Sequence, residues 1–171
     1  MLITDMHRSR LSLLVVSVAF AFVAIGQTSA LSAEKNLWST INICGTKKHP
    51  HYLGIRGRMP GDGHKSHTMW MKFIVQFKNG SKWSNVSKAS TKFENFGSAD
   101  VSWRSAGRTF TMTSQNPGTF TFRGLVKFQW RKSNGTVVRR EQRVTTAGHP
   151  TKSSNPKGFS AATCTMKFKT Y

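Results

Sequence analysis

Phe120-Thr-Phe-Arg-Gly-Leu-Val-Lys-Phe-Gln-Trp-Arg131 puts Phe120, Phe122, Val126, Phe128 and Trp130 at alternate positions, with Thr121, Arg123, Lys127, Gln129 and Arg131 between them. Side chains along an extended strand point to opposite faces with a period of two. This stretch therefore reads as a strand with one face on a core and one in water. Met69-Trp-Met-Lys-Phe-Ile-Val-Gln-Phe77 repeats the pattern: Met69, Met71, Phe73, Val75 and Phe77 share one face, and Trp70, Lys72, Ile74 and Gln76 share the other.

The segment after Arg131 reads as a returning strand, and its register decides which charges lie together. A two-residue Asn134-Gly135 turn would pair Trp130 with Arg139 and Phe128 with Glu141, carrying charge onto the core face. A three-residue Ser133-Asn134-Gly135 loop with Gly135 in the left-handed position pairs Trp130 with Val138 and Gly124 with Val144 instead. Three-residue hairpins favour glycine there, and a one-residue slip exchanges the faces of the whole strand. The three-residue loop is the register adopted. It gathers Arg123, Lys127, Arg131, Arg139 and Arg143 on one solvent face with Glu141, and it turns Arg140 and Gln142 inward, as a sheet rim or a bulge would allow.

Shorter strands are expected at Leu37–Ile43, Gly54–Met59, Ala99–Arg104, Thr109–Thr113 and Ala161–Phe168. Turn formers at Pro60-Gly-Asp-Gly63, Asn79-Gly80, Ala106-Gly107 and Asn116-Pro-Gly118 separate them, and Gly45–His51 and Thr146–Gly158 read as irregular loops. Seven or eight short strands with this punctuation predict an all-β sandwich. Trp38, Trp70, Trp103, Trp130 and most phenylalanines are the expected core. No internal repeat or linker divides the chain.

The N-terminus has the pattern of a secretory signal. Met1–Arg10 carries His7, Arg8 and Arg10 against Asp5, Leu11–Gly26 has no charge, and Gln27-Thr-Ser-Ala30 supplies small residues for cleavage. Residues 1–30 are thus expected to be a signal peptide and residues 31–171 a single secreted domain. The alternative, a retained anchor, is disfavoured because the apolar run is shorter than the ~20 residues a spanning helix needs. Arg8 and Arg10 are not adjacent, so a twin-arginine route is not indicated. The two cysteines, Cys44 and Cys164, lie near the ends of the mature chain. In an oxidising compartment such an isolated pair is expected to form a disulfide, since a redox or metal pair is usually spaced C-x-x-C.

The formal net charge is +20 from 26 Lys and Arg against 6 Asp and Glu. Such an imbalance says nothing about fold but favours polyanionic partners. An exported protein meets cell-envelope polymers before nucleic acid, so no specific nucleic acid is expected. Asn79, Asn85 and Asn134 stand in glycan-acceptor triplets that matter only in a eukaryote.

The histidines are the other notable cluster: His49 and His51, then His64 and His67, with Asp62 nearby. Imidazoles bind zinc or copper, and Met59, Met69 and Met71 would add thioethers suited to copper(I). Against this, Met69 and Met71 fall on the core face, and Lys47, Lys48 and Lys65 oppose a dication. For catalysis, no carboxylate pair stands out among the scattered acids, there is no G-x-S-x-G, and Gly61-Asp-Gly63 is a turn without the strand-to-helix context of a phosphate loop. A cysteine nucleophile would require breaking the bridge. The chain is expected to be no enzyme and to need no cofactor.

Gly54-Ile-Arg-Gly-Arg-Met-Pro-Gly61, Met69-Trp-Met-Lys-Phe73, Ala106-Gly-Arg-Thr-Phe110, Val137-Val-Arg-Arg140, Thr145-Thr-Ala-Gly-His149 and Gly158-Phe-Ser-Ala-Ala-Thr-Cys164 cover most of the mature chain. In these segments it resembles a group of uncharacterised secreted actinobacterial proteins. The resemblance implies bacterial export and an immunoglobulin- or fibronectin type III-like β-sandwich, and it brings no activity or site residues. The combined expectation is a secreted or envelope-associated, non-catalytic module that binds anionic cell-wall polymers through Arg123, Lys127, Arg131, Arg139 and Arg143. The alternative is an exported metal-binding protein that uses His49, His51, His64 and His67.

Overall fold

Two antiparallel sheets enclose the apolar faces read from the alternating segments. The computed structural model describes residues 35–169, so the signal-peptide expectation for residues 1–30 lies outside the described residues. The strands are β1 (Trp38–Cys44), β2 (Tyr52–Pro60), β3 (His67–Asn79), β4 (Lys82–Ser90), β5 (Glu94–Ser98), β6 (Trp103–Thr111), β7 (Gly118–Lys132), β8 (Val137–Val144) and β9 (Cys164–Phe168). The smaller sheet has the order β1-β2-β6, and the larger has β4-β3-β7-β8. In the larger sheet β5 pairs with the first part of β3, and β9 with the first part of β7. Among the described residues no helix is long and apolar enough to cross a membrane.

The two segments that set the fold lie within β3 and β7, which pair from His67↔Lys132 to Phe77↔Phe122. Met69, Met71, Phe73, Val75, Val126, Phe128 and Trp130 have no exposed surface, and Leu53 and Ile55 of β2 close the core from the smaller sheet. The expectation of seven or eight strands needs correcting in two places. Ala106-Gly107 is no turn, because β6 runs unbroken through it and Gly107 pairs with Arg56. Gly107 is there for close approach: a Cβ at this position would sit 3.0 Å from the Ile55 carbonyl oxygen. The second correction is β4 and β5, whose polar composition hides two strands on the outer side of β3. The tryptophans also divide. Trp130 is buried in the core and Trp38 lies on the smaller sheet, while Trp103 is 44% exposed.

Cys44 and Cys164 are bonded, with Cα atoms 5.5 Å apart, and no free cysteine is present. The bridge ties β1 of the smaller sheet to β9 of the larger, so it spans the core. A disulfide is compatible with an extracellular location.

The connection after β8 is long, as the sequence indicates, and it lies across the outer side of β1. Thr146 N donates to Ser39 O, Asn155 N to Asn42 O, and Asn42 Nδ2 to Ser153 O at 2.9 Å. These bonds satisfy the buried polar residues Ser39, Thr40 and Asn42 jointly with Ser160, whose Oγ is 2.7 Å from Thr40 Oγ1.

Candidate functional site

The β7–β8 hairpin closes as the sequence suggests but does not keep that register. Gly135 has φ of 84°, Gly135 N donates to Lys132 O, and Lys132 N donates to Thr136 O, which makes the expected three-residue loop. Arg131 then faces Val137, and a bulge at Val138 shifts the pairing so that Trp130 faces Arg139, Phe128 faces Glu141 and Leu125 faces Val144. One extra residue exchanges the faces of everything beyond it. The five expected cations are therefore not brought together. Arg123, Lys127 and Arg131 share the outer face, and Arg139 and Arg143 stand on the inner side at the sheet edge.

The bulge resolves the conflict that the unbulged register created. Arg140 and Gln142 are now exposed, and the inner-side charges find partners at the rim. The Arg139 guanidinium lies 4.4 Å from the Trp130 ring centroid. Glu141 accepts from Arg139 at 3.2 Å and from Arg143 at 3.3 Å. Cation–π contact and ion pairing let three charged groups border the core without one being stranded.

The outer face of the larger sheet combines cations with aromatic rings. The Arg123 guanidinium stacks on Trp83 at 4.4 Å, and Arg123 Nε donates to Gln76 Oε1 at 2.8 Å. Gln76 Nε2 in turn donates to Asn85 Oδ1, which links three strands. Burial lowers the pKa of Arg123, but a guanidinium stays charged under all ordinary conditions. Eight residues along β7, about 26 Å at strand rise, Arg131 stacks on Trp70 at 4.2 Å and on Phe93 at 5.2 Å. Gln129 Oε1 accepts from both Nε and NH2 of Arg131. Between these two stacks Lys72 pairs across from Lys127, which also faces Gln142, and Gln129 faces Arg140. Phe93, Lys127, Gln129, Arg140 and Gln142 line an open groove of about 370 Å³, and Phe128, Glu141 and Arg143 complete its wall.

Among the described residues the one carboxylate that reaches this groove is Glu141, and it is already paired with two arginines. Asp62 is engaged with His64 and His67, Glu94 with Arg108, and Glu141 with Arg139 and Arg143, while Asp100 lies in an exposed turn between β5 and β6. Sequence reasoning found Arg123, Lys127 and Arg131 and missed Arg140, Trp83 and Phe93. Lys72, Gln76 and Trp70 were visible as the polar phase of β3. Trp83 was not, because β4 has no clear alternation.

The four histidines do not form one site. His51 adjoins the start of β2 and His64 follows its end, so nine strand residues, about 30 Å, separate the pairs. His49 stacks on Tyr52 at 4.4 Å and His51 on Phe168 at 4.8 Å. Met59, Met69 and Met71 are wholly buried and offer no thioether to either pair. His64 and His67 do lie together, stacked at 4.7 Å, and their ligand atoms and that of Asp62 fall within 4.8 Å of one another. His67 Nδ1 is 2.7 Å from Asp62 Oδ2, and His64 N donates to Asp62 Oδ1 at 3.0 Å. The group caps the β2–β3 turn by hydrogen bonding.

Asp62 gives that cap a pH dependence. Burial raises its pKa, but the His67 hydrogen bond, the His64 backbone bond and both imidazole charges outweigh this, and the net pKa is below the ordinary 3.8. A carboxyl with a depressed folded pKa stabilises the fold above its unfolded pKa, and that contribution is lost as pH falls through the folded value. Hydrogen bonds to a charged group contribute about 1.5–3 kcal/mol, which partial exposure reduces to on the order of 1 kcal/mol. Urea midpoints of wild type and Asp62→Asn should thus differ at pH 6 and converge as pH drops below 4. A constant gap across that range would contradict this role.

No protein-family model matches this chain, and no curated protein and no solved structure matches it.

Proposed function

We propose that this chain is a secreted, non-catalytic module of the cell envelope that binds anionic polymers through the outer face of its larger sheet. The observation that carries this reading is a surface on which Arg123, Arg131, Lys72, Lys127 and Arg140 alternate with Trp83, Trp70 and Phe93, while the acid at its groove, Glu141, is paired with Arg139 and Arg143. Guanidiniums held over indole rings and hydrogen-bonded to Gln76 or Gln129 have reduced freedom to lose on binding, and they keep further N–H groups for carboxylate, sulfate or phosphate oxygens. An open sheet face suits an extended polymer better than a small ligand. The strand orders β1-β2-β6 and β4-β3-β7-β8, with crossings between sheets at β2–β3, β5–β6 and β6–β7, support a fibronectin type III-like sandwich.

The test is salt elution from heparin and from an anionic cell-wall polymer resin. Wild type should elute well above physiological salt. The variant R123Q/K127Q/R131Q/R140Q should elute earlier, with the slope of log affinity against log salt reduced by about 1 per cation engaged. The control K47Q/K48Q/K65Q/K157Q removes the same charge from exposed loops and should elute near wild type. Equal shifts in the two variants mean that only net charge is sensed, and elution of wild type below physiological salt ends the proposal.

A further inference from the structure

The smaller sheet carries a second basic site on the opposite side of the molecule. Along β2, Ile55, Gly57 and Met59 are buried, so Arg56 and Arg58 both emerge on the outer side, about 7 Å apart at the backbone. The long connection after β8 lies over that side and leaves an open pocket of about 420 Å³, lined by Arg56, Arg58, Trp103, Ser105, Lys152 and Ser153 among others. Hydroxyls hold Arg56 in place: its Nε donates to Ser105 Oγ at 2.9 Å and its NH1 to Ser153 Oγ at 2.8 Å.

Arg58 lacks such partners. Its guanidinium carbon lies 3.8 Å from the Trp103 ring centroid and 5.1 Å from that of Trp38, and its Nε is buried with no hydrogen-bond partner. No carboxylate lines the pocket. The charge of Arg58 also bears on two neighbours. Burial and then the charge of Arg58 lower the pKa of Arg56, and the same two causes in the same order lower that of His149, which stacks on Trp38. A protein that crowds like charges around an unsatisfied buried donor gains from a ligand that supplies the opposite charge.

We propose that this pocket binds a phosphate monoester, with the phosphate between Arg56, Arg58 and Lys152 and its organic part against Trp103. The cations match a group of charge near −2 with several acceptor oxygens. Ser105 and Ser153 supply hydroxyls, and Trp103, 44% exposed at the rim, offers a ring surface. This goes beyond polymer binding on the larger sheet and does not depend on it.

The experiment is calorimetry of the intact protein with glucose 6-phosphate, glucose 6-sulfate and glucose at physiological salt, with tryptophan fluorescence as a second readout. Glucose 6-phosphate should bind with Kd below about 1 mM, roughly tenfold tighter than the sulfate ester, and glucose should not bind. R56Q and K152Q should each weaken binding severalfold. Lys152 is exposed, so K152Q reads the site without risk to the fold. K72Q/K127Q should leave the affinity unchanged, which separates this site from the larger-sheet face. Equal affinity for the phosphate and sulfate esters overturns the proposal, as does binding that survives both R56Q and K152Q.

Discussion

Replacing Cys44 and Cys164 with serine should cost this domain about 4–5 kcal/mol. The bridge joins positions 120 residues apart, and the entropy that a cross-link removes from the unfolded chain grows with the loop it closes. Against a typical total stability of about 5–15 kcal/mol, such a loss leaves little margin. The location adds to the effect. Cys164 is buried, and the bond joins β1 to β9 across the two sheets, so cutting it leaves the short last strand held only by its pairing with β7 and its buried side chains. Guanidinium midpoints of the oxidised protein, the thiol-reduced protein and the C44S/C164S variant should show the two modified forms falling together, far below the first. A reduced protein with the oxidised midpoint would mean that sheet packing alone holds the ends.

The second large effect is expected at Trp130. It is wholly buried between the sheets, and its indole Nε1 donates to the Pro60 carbonyl at 3.0 Å. Trp130→Ala removes the apolar volume at about 3–5 kcal/mol and strands that carbonyl at about 1–3 kcal/mol. It also takes away the ring on which Arg139 rests, a contact of about 1 kcal/mol. Trp130→Phe keeps an aromatic surface for Arg139 and should cost less than half as much. Arg139→Gln should cost under about 1 kcal/mol, because only the rim contact and one ion pair are lost. Denaturation of the three variants checks the order. If W130A is no more damaging than W130F, Trp130 does not anchor the core.

Both predictions rest on features that were read with different success from the sequence. β3 and β7 were legible because each runs long enough for period-two alternation to emerge, and burying one face leaves no other conformation that satisfies it. The cysteine pairing was legible because two cysteines allow a single bridge. β4 and β5 were not, since their side chains pack weakly at the sheet's edge and carry little alternation. Ala106-Gly107 was misread as a turn because a glycine required by close approach to β2 has the same letter as one required by a turn.

The cationic site shows how far local information extends. The Ser133-Asn134-Gly135 loop was readable, because its glycine serves a local backbone demand. The bulge at Val138 was not, and it alone moved Arg139 and Arg143 off the outer face and Arg140 onto it. A bulge depends on what lies across the sheet, here Trp130 beneath Arg139 and Glu141 between two arginines. The four histidines were likewise not brought into one site, since β2 sets the His49/His51 pair and the His64/His67 pair at its opposite ends.

Taken alone, the order of residues determined an all-β chain of large positive charge with a single pair of bridging cysteines, because composition and alternation act within a few residues. The convergence of Arg123, Arg131 and their tryptophans on one face, and of Arg56, Arg58 and Trp103 in another pocket, was decided only in three dimensions. Strands distant in the chain became neighbours through hydrogen-bond register and core packing, and neither can be read from one segment at a time.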